Sequence, residues 1–275
     1  MAAEARAVEA FYHLEGLEQV LLGALRQAGR DPSALRPEDL APVDAFHVRG
    51  REATVELALL AEVTGREQVL DVGCGLGGAA RYLATLGCRV VGVDLTECYC
   101  RMAAHLSRLV GLEGQTRFCR ADAVRLPFAE ASFDLVWTEH TQMNVADKAR
   151  FYGEIARVLR PGGRLAFYDI LQGNGGAPYY PVPWAADAST NFLLTPEALR
   201  AQLQSTGFQL LFWEDRTEEA VAWFQELFQR SRREGRPALG LHLLMGPQAR
   251  VKSENQLRNL AEGRIVLVEG VAERR

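Results

Sequence analysis

The sequence predicts an α/β fold in which helices cover both sides of a mostly parallel, doubly wound sheet. From Val69 onward, apolar runs suited to buried strands alternate with helical patterns. This rhythm is typical of strands joined by right-handed helical crossovers. The first run leads into a turn with four glycines between positions 73 and 78, and a helix opens directly behind it. The 275 residues suffice for one such domain with additions.

The first 50 residues are predicted to form a helical extension or lid, ahead of a domain that covers 51–275. Apolar side chains near 3.6-residue spacing predict a helix over 3–29. Residues 31–50 contain three prolines and end in DAFHVRG, which predicts a connecting segment and not a long helix. A further helix is predicted over 51–64.

Seven strands are predicted in the domain, five in the alternating part and two near the C-terminus. They lie at 69–72, 90–95, 117–123, 133–140, 164–171, 208–213 and 265–272. The helix before the fifth strand is expected to end at RPGG. Insertions are expected at about 172–195 and 218–262. The first is rich in glycine, proline and aromatic residues and too long for an idle connection, which predicts a lid or binding loop.

The glycine turn carries the first functional indication. Gly73, Gly75 and Gly78 match the G-x-G-x-x-G pattern, in which glycines let the backbone approach a nucleotide closely. Asp71 precedes the turn by two positions. Its carboxylate would repel a pyrophosphate and attract a cationic amino group. The pattern therefore favours a positively charged nucleoside without phosphates, and S-adenosylmethionine is such a molecule.

Two further aspartates end neighbouring predicted strands. Asp94 stands 21 positions after Gly73, the usual place of the acidic residue that binds ribose hydroxyls. Asp122, at the end of the third strand, is suited to accept a hydrogen bond from an adenine amine. A surface carboxylate and a turn aspartate are the respective structural alternatives. Three neighbours are expected to line the same cofactor site: Cys74, Leu95 and Ala123.

Glu139 and His140 end the fourth strand, where residues of a doubly wound sheet face the ligand crevice. An imidazole has a pKa near 6.5, so His140 is the candidate general base, and Glu139 is placed in the cofactor site. Asp169 holds the matching position on the fifth strand and is expected to orient His140 or bind substrate. His47 is expected to reach the cofactor site if the N-terminal segment folds over it. For each of these side chains the alternative is a purely structural role.

Aromatic side chains are candidates for closing the cleft, where they would suit a methylammonium substrate through cation–π contacts. These are Phe46, Tyr179, Tyr180 and Trp184. Aromatic residues beside prolines also simply pack a loop, so both interpretations stand. Met143 and Asn144 are predicted to shape the mouth of the site.

The bulk composition excludes several classes of partner. A net charge of −4 offers no basic footprint for nucleic acid or an anionic membrane. Neither a secretory signal nor an apolar run of membrane-spanning length is apparent. Five cysteines without a secretory context predict reduced thiols and a cytoplasmic protein. The histidines and the Cys98–Cys100 pair lack metal-ligand spacing, so no metal is expected. The expected partner is a small molecule, and a homodimer stays open.

Four stretches together resemble the class I S-adenosylmethionine-dependent methyltransferases, over roughly residues 46–215. They are VLDVGCGLGG, VVGVDL, RADAVRLPFAEASFDLVW and RVLRPGGRL. The resemblance is closest to the branch of ubiquinone/menaquinone-biosynthesis, sarcosine/dimethylglycine and sugar O-methyltransferases. It implies a Rossmann-like sheet of seven strands, one antiparallel strand near the C-terminus, and S-adenosyl-L-methionine as cofactor.

The resemblance also assigns roles to individual residues. It places Asp71 at the methionine amino group, Gly73 and Gly75 under the cofactor, Asp94 at the ribose and Asp122 at the adenine. In similar sugar O-methyltransferases a histidine after the fourth strand is the proposed base, and His140 stands there.

At two positions the chain differs from related families, and these differences limit the expected class of substrate. The EHTQMN sequence at the fourth strand differs from glycine-betaine-type enzymes, which puts an amino-acid substrate in doubt. Catechol-type enzymes hold magnesium with an Asp-Asn pair, where this chain has Asp169-Ile170. The expected reaction is methyl transfer to nitrogen or oxygen, less so to carbon. The alternatives are a nicotinamide-dependent oxidoreductase and a catalytically silent cofactor-binding subunit.

Overall fold

The structure, a computed structural model, describes residues 3–275, and the first two residues of the predicted extension lie outside that range. Seven strands within it form one sheet in the order β3-β2-β1-β4-β5-β7-β6. The strands are β1 (Gln68–Val72), β2 (Arg89–Asp94), β3 (Thr116–Arg120), β4 (Phe133–Glu139), β5 (Leu159–Gln172), β6 (Phe208–Asp215) and β7 (Ile265–Arg274). Only β7 runs antiparallel to its neighbours. The predicted fold class is confirmed.

Helices pack on both faces of this sheet. They are α1 (Ala3–Tyr12), α2 (Leu17–Gln27), α3 (Pro37–Asp44), α4 (Arg51–Leu60), α5 (Gly78–Thr85), α6 (Glu97–Leu109), α7 (Lys148–Val158), α8 (Pro196–Ser205), α9 (Thr217–Glu234), α10 (His242–Met245) and α11 (Ala249–Ala261). Short 3₁₀ turns lie at Gln142–Asn144, Ala188–Thr190 and Gly246–Gln248.

Three local expectations differ from the structure. The predicted helix over 3–29 is two helices, because Gly16 adopts a positive φ of 64° directly before α2. The connecting segment 31–50 contains the short helix α3, which begins at a proline, the residue whose fixed φ suits the first helical position. The RPGG sequence lies inside β5, which starts at Leu159, directly after α7.

Alternation along the central strands separates two apolar layers. Trp137 of β4 and Tyr168 of β5 belong to the layer shared with α4, α5, α9 and α11. Val136 and Phe167 point to the other layer, which α7 and α8 cover. A third cluster joins α2 and α3 to α6. A side chain's face in β4 and β5 is therefore decided by its parity along the strand.

A buried ion pair fastens the N-terminal segment to the sheet domain. Asp44, the last residue of α3, accepts a hydrogen bond from the Arg81 guanidinium of α5 at 2.6 Å. The exposed fractions of the two side chains are 5% and 1%. Arg81 also donates to the carbonyls of Leu76 and Ala103. Residues 45–50 are thereby held beside the carboxyl ends of the parallel strands. Within residues 3–275, no helix has both the length and the apolar character needed to cross a membrane.

Candidate active site

A cavity of about 1440 Å³ opens at the carboxyl ends of β1, β2 and β4. The strand order reverses between β1 and β4, and this switch point is where open α/β sheets bind their ligands. The cavity continues past the sheet to α1, α9 and α11. One end of the cavity is therefore built by strand ends and the other by helices.

Two glycines of the turn, Gly73 and Gly75, line the strand end of the cavity and have different surroundings. The amides of Gly73 and Cys74 both donate to the Val93 carbonyl, which ties the turn to β2. A Cβ on Gly73 would stand 2.2 Å from Thr141 Oγ1, so this glycine allows β1 and β4 to approach. Gly75 has a φ of +51° and a Cβ built there would meet no atom within 4 Å. Both glycines line the cavity, but only Gly75 leaves space beside its Cα.

Asp94 supports this turn while facing the cavity. Its Oδ2 accepts the Gly75 amide at 3.0 Å, and its Oδ1 accepts the Thr96 amide at 2.8 Å. Burial raises the pKa of this carboxyl above its ordinary value, and the backbone amides oppose that shift. Leu95, Asp122 and Ala123 line the same wall. The four predicted residues at the ends of β2 and β3 are thus brought together.

Asp71 and Cys74 lie behind the cavity wall. Neither residue is part of the lining. Asp71 is 2% exposed, and its Oδ2 is buried with no hydrogen-bond partner among residues 3–275. Burial first, and then the charges of Glu139 and Asp94, raise its pKa well above the ordinary value. Burial likewise raises the pKa of the Cys74 thiol. With one oxygen unpartnered and two other carboxylates nearby, the Asp71 carboxylate is suited to interact with a cation.

The N-terminal segment contributes His47 to this acidic end. His47 Nε2 lies 3.4 Å from Glu139 Oε1, and the exposed fractions of the two side chains are 5% and 6%. The Thr54 hydroxyl lies within hydrogen-bond distance of both Glu139 oxygens, at 3.0 and 3.2 Å, and of His47 Nε2 at 3.1 Å. His47 and Glu139 line the cavity. Residues far apart in sequence therefore form one buried polar group.

His140 stands directly after β4 with its side chain on the cavity wall. Its φ of +51° is unusual for a residue with a side chain. The His140 amide donates to the Tyr168 carbonyl at 2.8 Å, and its ring stacks on Tyr168 at 5.3 Å. Burial and then the nearby His47 lower its pKa well below 6.5, so the ring is neutral at pH 7. Its Nε2 has no hydrogen-bond partner among residues 3–275.

Asp169 does not reach the cavity, contrary to the expectation that it would orient His140 or bind substrate. It follows Tyr168 in β5, and because Tyr168 faces His140, Asp169 points to the opposite face. Its Oδ1 accepts the Thr141 amide at 3.2 Å. Burial raises its pKa to about 7, against the lowering influence of the Thr141 amide and of Lys148. Burial lowers the pKa of Lys148, also to about 7.

The candidate aromatic residues divide in two. Phe46 and Trp184 line the cavity, and Trp184 Nε1 donates to Asn191 Oδ1. Tyr179 and Tyr180 do not line it. The Tyr179 ring packs under two arginines, and the Tyr180 hydroxyl accepts from Asn191. The alternative of loop packing therefore holds for these two tyrosines. Met143 and Asn144 both line the cavity, as predicted.

The residues that line the far end of the cavity are not predicted from the sequence. Tyr12 of α1 donates from its hydroxyl to Asn144 Oδ1 at 2.9 Å and lines the cavity beside Val8. Trp223 and Phe228 of α9 and Leu257 of α11 lie on the same wall. The sequence predicts an insertion at about 218–262, and apolar periodicity in such a segment indicates only that one face of a helix is covered. Which element covers that face depends on tertiary packing.

Within residues 3–275, no group of three or more His, Cys, Asp or Glu side chains is placed to hold a metal ion. The strand end fits a cationic nucleoside instead. It offers the open backbone at Gly75, two carboxylates in the wall at Asp94 and Asp122, and the unpartnered Asp71 oxygen behind it.

The profile of the family described as the methyltransferase domain matches residues 70–167. Residues 70–167 of this chain therefore form a methyltransferase domain. The match runs from β1 through most of β5, the stretch that builds the glycine turn and the acidic wall. The methyltransferase domain expected from the resemblance is confirmed over these residues.

The names of this chain's relatives include different acceptors, such as a sterol and tocopherol. Methyltransferase GfsG of Streptomyces halstedii is 38% identical over 134 residues, which are 48% of this chain and 48% of that protein. The sterol 24-C-methyltransferase of Eremothecium gossypii is 34% identical over 194 residues, 62% of this chain and 48% of that protein. The chain spans about half the length of these two relatives.

A solved structure covers nearly the whole length of this chain. The cyclase SpnF superposes with a TM-score of 0.68 at 21% sequence identity, over 99% of this chain and 97% of that one. At this identity the likeness concerns the fold alone. A fold shared with a protein named as a cyclase does not specify a reaction, so function must be argued from the site.

Proposed function

We propose that this protein is an S-adenosylmethionine-dependent methyltransferase that acts on a small molecule. The observation that carries the proposal is the acidic end of the cavity, where the charges of Glu139 and Asp94 raise the pKa of the buried Asp71 and the backbone of Gly75 borders open space. Accumulated negative charge in a buried site favours a cationic ligand. A dinucleotide would bring a pyrophosphate to this place and be repelled.

Each wall residue then has a part in binding. Asp94 and Asp122 are placed to accept hydrogen bonds from ribose hydroxyls and an adenine amine, while Gly73 and Gly75 allow close approach of the backbone. Asp71, and Glu139 with His47, favour the positive charge of the amino-acid end. When bound, the cofactor supplies a methyl group already activated by its sulfonium. The protein's task is to align the acceptor and exclude water.

His140 is the candidate base for an acceptor that carries a proton. Its ring is neutral at pH 7 and belongs to the cavity lining, and its Nε2 is buried without a hydrogen-bond partner among residues 3–275, so no protein group competes for a proton there. An alcohol or a protonated amine needs such a group. We therefore favour oxygen or nitrogen acceptors over carbon, although three relatives are named as C-methyltransferases.

The cofactor assignment is tested by calorimetric titration of the full chain with S-adenosylmethionine and, separately, with NAD. We expect binding of S-adenosylmethionine and much weaker binding of NAD. Tighter binding of NAD would favour the oxidoreductase alternative. Screening of amines, phenols, sugars and quinone precursors for release of S-adenosylhomocysteine then tests the silent-subunit alternative, which any acceptor-dependent turnover would exclude.

Replacing His140 with glutamine is expected to lower kcat by about 100-fold or more, as for loss of a general base. The dissociation constant for S-adenosylhomocysteine should stay within about two-fold. Because the pKa of His140 is lowered, the wild-type kcat should fall on acidification only below pH 6.5, and the variant should lack this decline. His105→Gln, at a position outside the cavity lining, is the matched control. An unchanged kcat in His140→Gln would remove this residue from the reaction.

A further inference from the structure

The far end of the cavity has an apolar wall on one face of α9. Trp223, Phe224, Leu227 and Phe228 line the cavity, and their spacing places them on one side of that helix. Val8 of α1 and Leu257 of α11 also belong to this lining. An acceptor that reaches this wall has a hydrocarbon or aromatic body.

The same face of α9 becomes basic towards its C-terminal end. Arg230 and Arg232 of α9, and Arg236 just after it, are exposed residues that border the cavity. Among residues 3–275, none of the three has an ion-pair or hydrogen-bond partner. Two other lining arginines are neutralised, Arg250 by Glu254 and Arg258 by Glu262.

The two ends of the cavity therefore carry opposite charges. Carboxylates line the strand end, whereas arginines are more numerous at the α9 end. The acids that α1 and α11 contribute to the lining are Glu4 and Glu254, and Glu254 is already ion-paired. A planar guanidinium is well matched to carboxylate and phosphate oxygens. The acidic strand end repels an anionic group, so a molecule with one charged terminus would be oriented with its uncharged terminus towards His140.

We propose that the methyl acceptor is an amphipathic anion. Its carboxylate or phosphate group binds Arg230, Arg232 and Arg236, and its apolar body lies along Trp223, Leu227 and Phe228. This inference rests on the proposed methyltransferase function and specifies its acceptor class. Basic residues also favour helix C-termini because of the helix dipole, so the test must separate cavity-lining arginines from a neighbour on the same helix.

The probes are decyl phosphate, decanoate, decanol and decyltrimethylammonium, each kept below its micelle concentration. They are titrated calorimetrically into the full chain saturated with S-adenosylhomocysteine. We expect the two anions to bind at least about ten-fold more tightly than decanol or the cation. A preference between the anions distinguishes a phosphate from a carboxylate acceptor, and either preference supports the inference.

The variant Arg230→Glu/Arg236→Glu should weaken binding of both anions by about ten-fold or more. The control is Arg233→Glu, since Arg233 of α9 is exposed like the other three arginines but does not line the cavity. This variant should bind the anions like the wild type. Equal binding of anions and decanol would overturn the inference. So would an equal loss in the control, or binding of phosphatidylglycerol vesicles that both variants abolish, because a general anionic surface site would then be present.

The affinity for S-adenosylhomocysteine is measured in the same samples. Cofactor binding without an anion preference would overturn the acceptor class alone. Failure of the cofactor to bind the wild-type chain would overturn the proposed function itself.

Discussion

Asp94 shows how one side chain can serve both the fold and the ligand. Its two oxygens accept the amides of Gly75 and Thr96, which fixes the glycine turn against the end of β2. The carboxylate nevertheless lines the cavity, where lone pairs remain for ligand hydroxyls, since a carboxylate accepts about four hydrogen bonds.

Asp94→Ala is expected to weaken binding of S-adenosylhomocysteine about ten-fold or more, because charge-assisted hydrogen bonds are lost. Isothermal titration calorimetry measures the change. Asp215→Ala is the matched control, since Asp215 makes the same type of bond to an amide two positions later but lies outside the lining. A dissociation constant unchanged in Asp94→Ala would exclude this residue from the cofactor site.

Asp169 is expected to govern the pH dependence of stability. Its pKa is about 7 in the folded protein, against 3.8 as the ordinary value. Between these pH values the folded state holds a proton that the unfolded state has released, so its contribution to the free energy of unfolding falls as pH rises.

The variant Asp169→Asn removes this titration. Relative to the wild type, it should gain on the order of 1 kcal/mol or more in the free energy of unfolding between pH 5 and pH 8. Urea unfolding at both pH values provides the measurement. A stability difference between the two proteins that is independent of pH would contradict the shifted pKa.

At the scale of elements, the turn between β1 and α5 uses its glycines for separate purposes. Gly73 gives room to Thr141, so that β1 and the end of β4 approach closely. Gly75 has a positive φ and borders open space. The G-x-G pattern therefore combines a packing requirement with a binding requirement.

Replacing each glycine with alanine should separate these requirements. Gly73→Ala is expected to cost about 2 kcal/mol or more of stability, through the clash with Thr141 and the strained backbone. Gly75→Ala should cost about 1 kcal/mol, for the left-handed conformation alone, yet weaken S-adenosylhomocysteine binding several-fold. Urea unfolding and calorimetry on both variants test this. Equal stability losses would show that the Thr141 contact is relieved by small shifts.

At the scale of the whole molecule, the site depends on how the N-terminal segment is docked. The pair of Asp44 with Arg81 holds residues 45–50 in place, and His47 reaches Glu139 from there. Helix α1 contributes Tyr12 to the cavity wall. The far end of the cavity is thus completed by residues before β1 and after β6.

Asp44→Ala is expected to lower the free energy of unfolding by about 3 kcal/mol or more, since it leaves a buried guanidinium without its carboxylate. Chemical denaturation followed by circular dichroism measures the change. Glu97→Ala breaks an exposed pair with Arg101 and should cost less than about 0.5 kcal/mol. Similar losses in the two variants would mean that Arg81 finds other partners.

The prediction from sequence succeeded where the signal is local. The strands, the glycine turn and the aspartates at the ends of β2 and β3 were located correctly because strand–turn–helix units carry their pattern within short stretches. Asp169 was misplaced because its face depends on its parity relative to Tyr168 and His140. A sequence pattern places a residue at a strand end more reliably than on one face of the sheet.

The sequence by itself therefore determined the α/β architecture and the strand end of the cavity, since parallel strands must bring their carboxyl ends to one edge. Only the tertiary structure decided which segments complete the cavity. Helices α1, α9 and α11 are distant in sequence from the glycine turn. An amphipathic pattern indicates that one face of a helix is covered, but it does not indicate which element covers that face. The pairing of His47 with Glu139, and the arginines at the end of α9, emerge only when these segments are packed together.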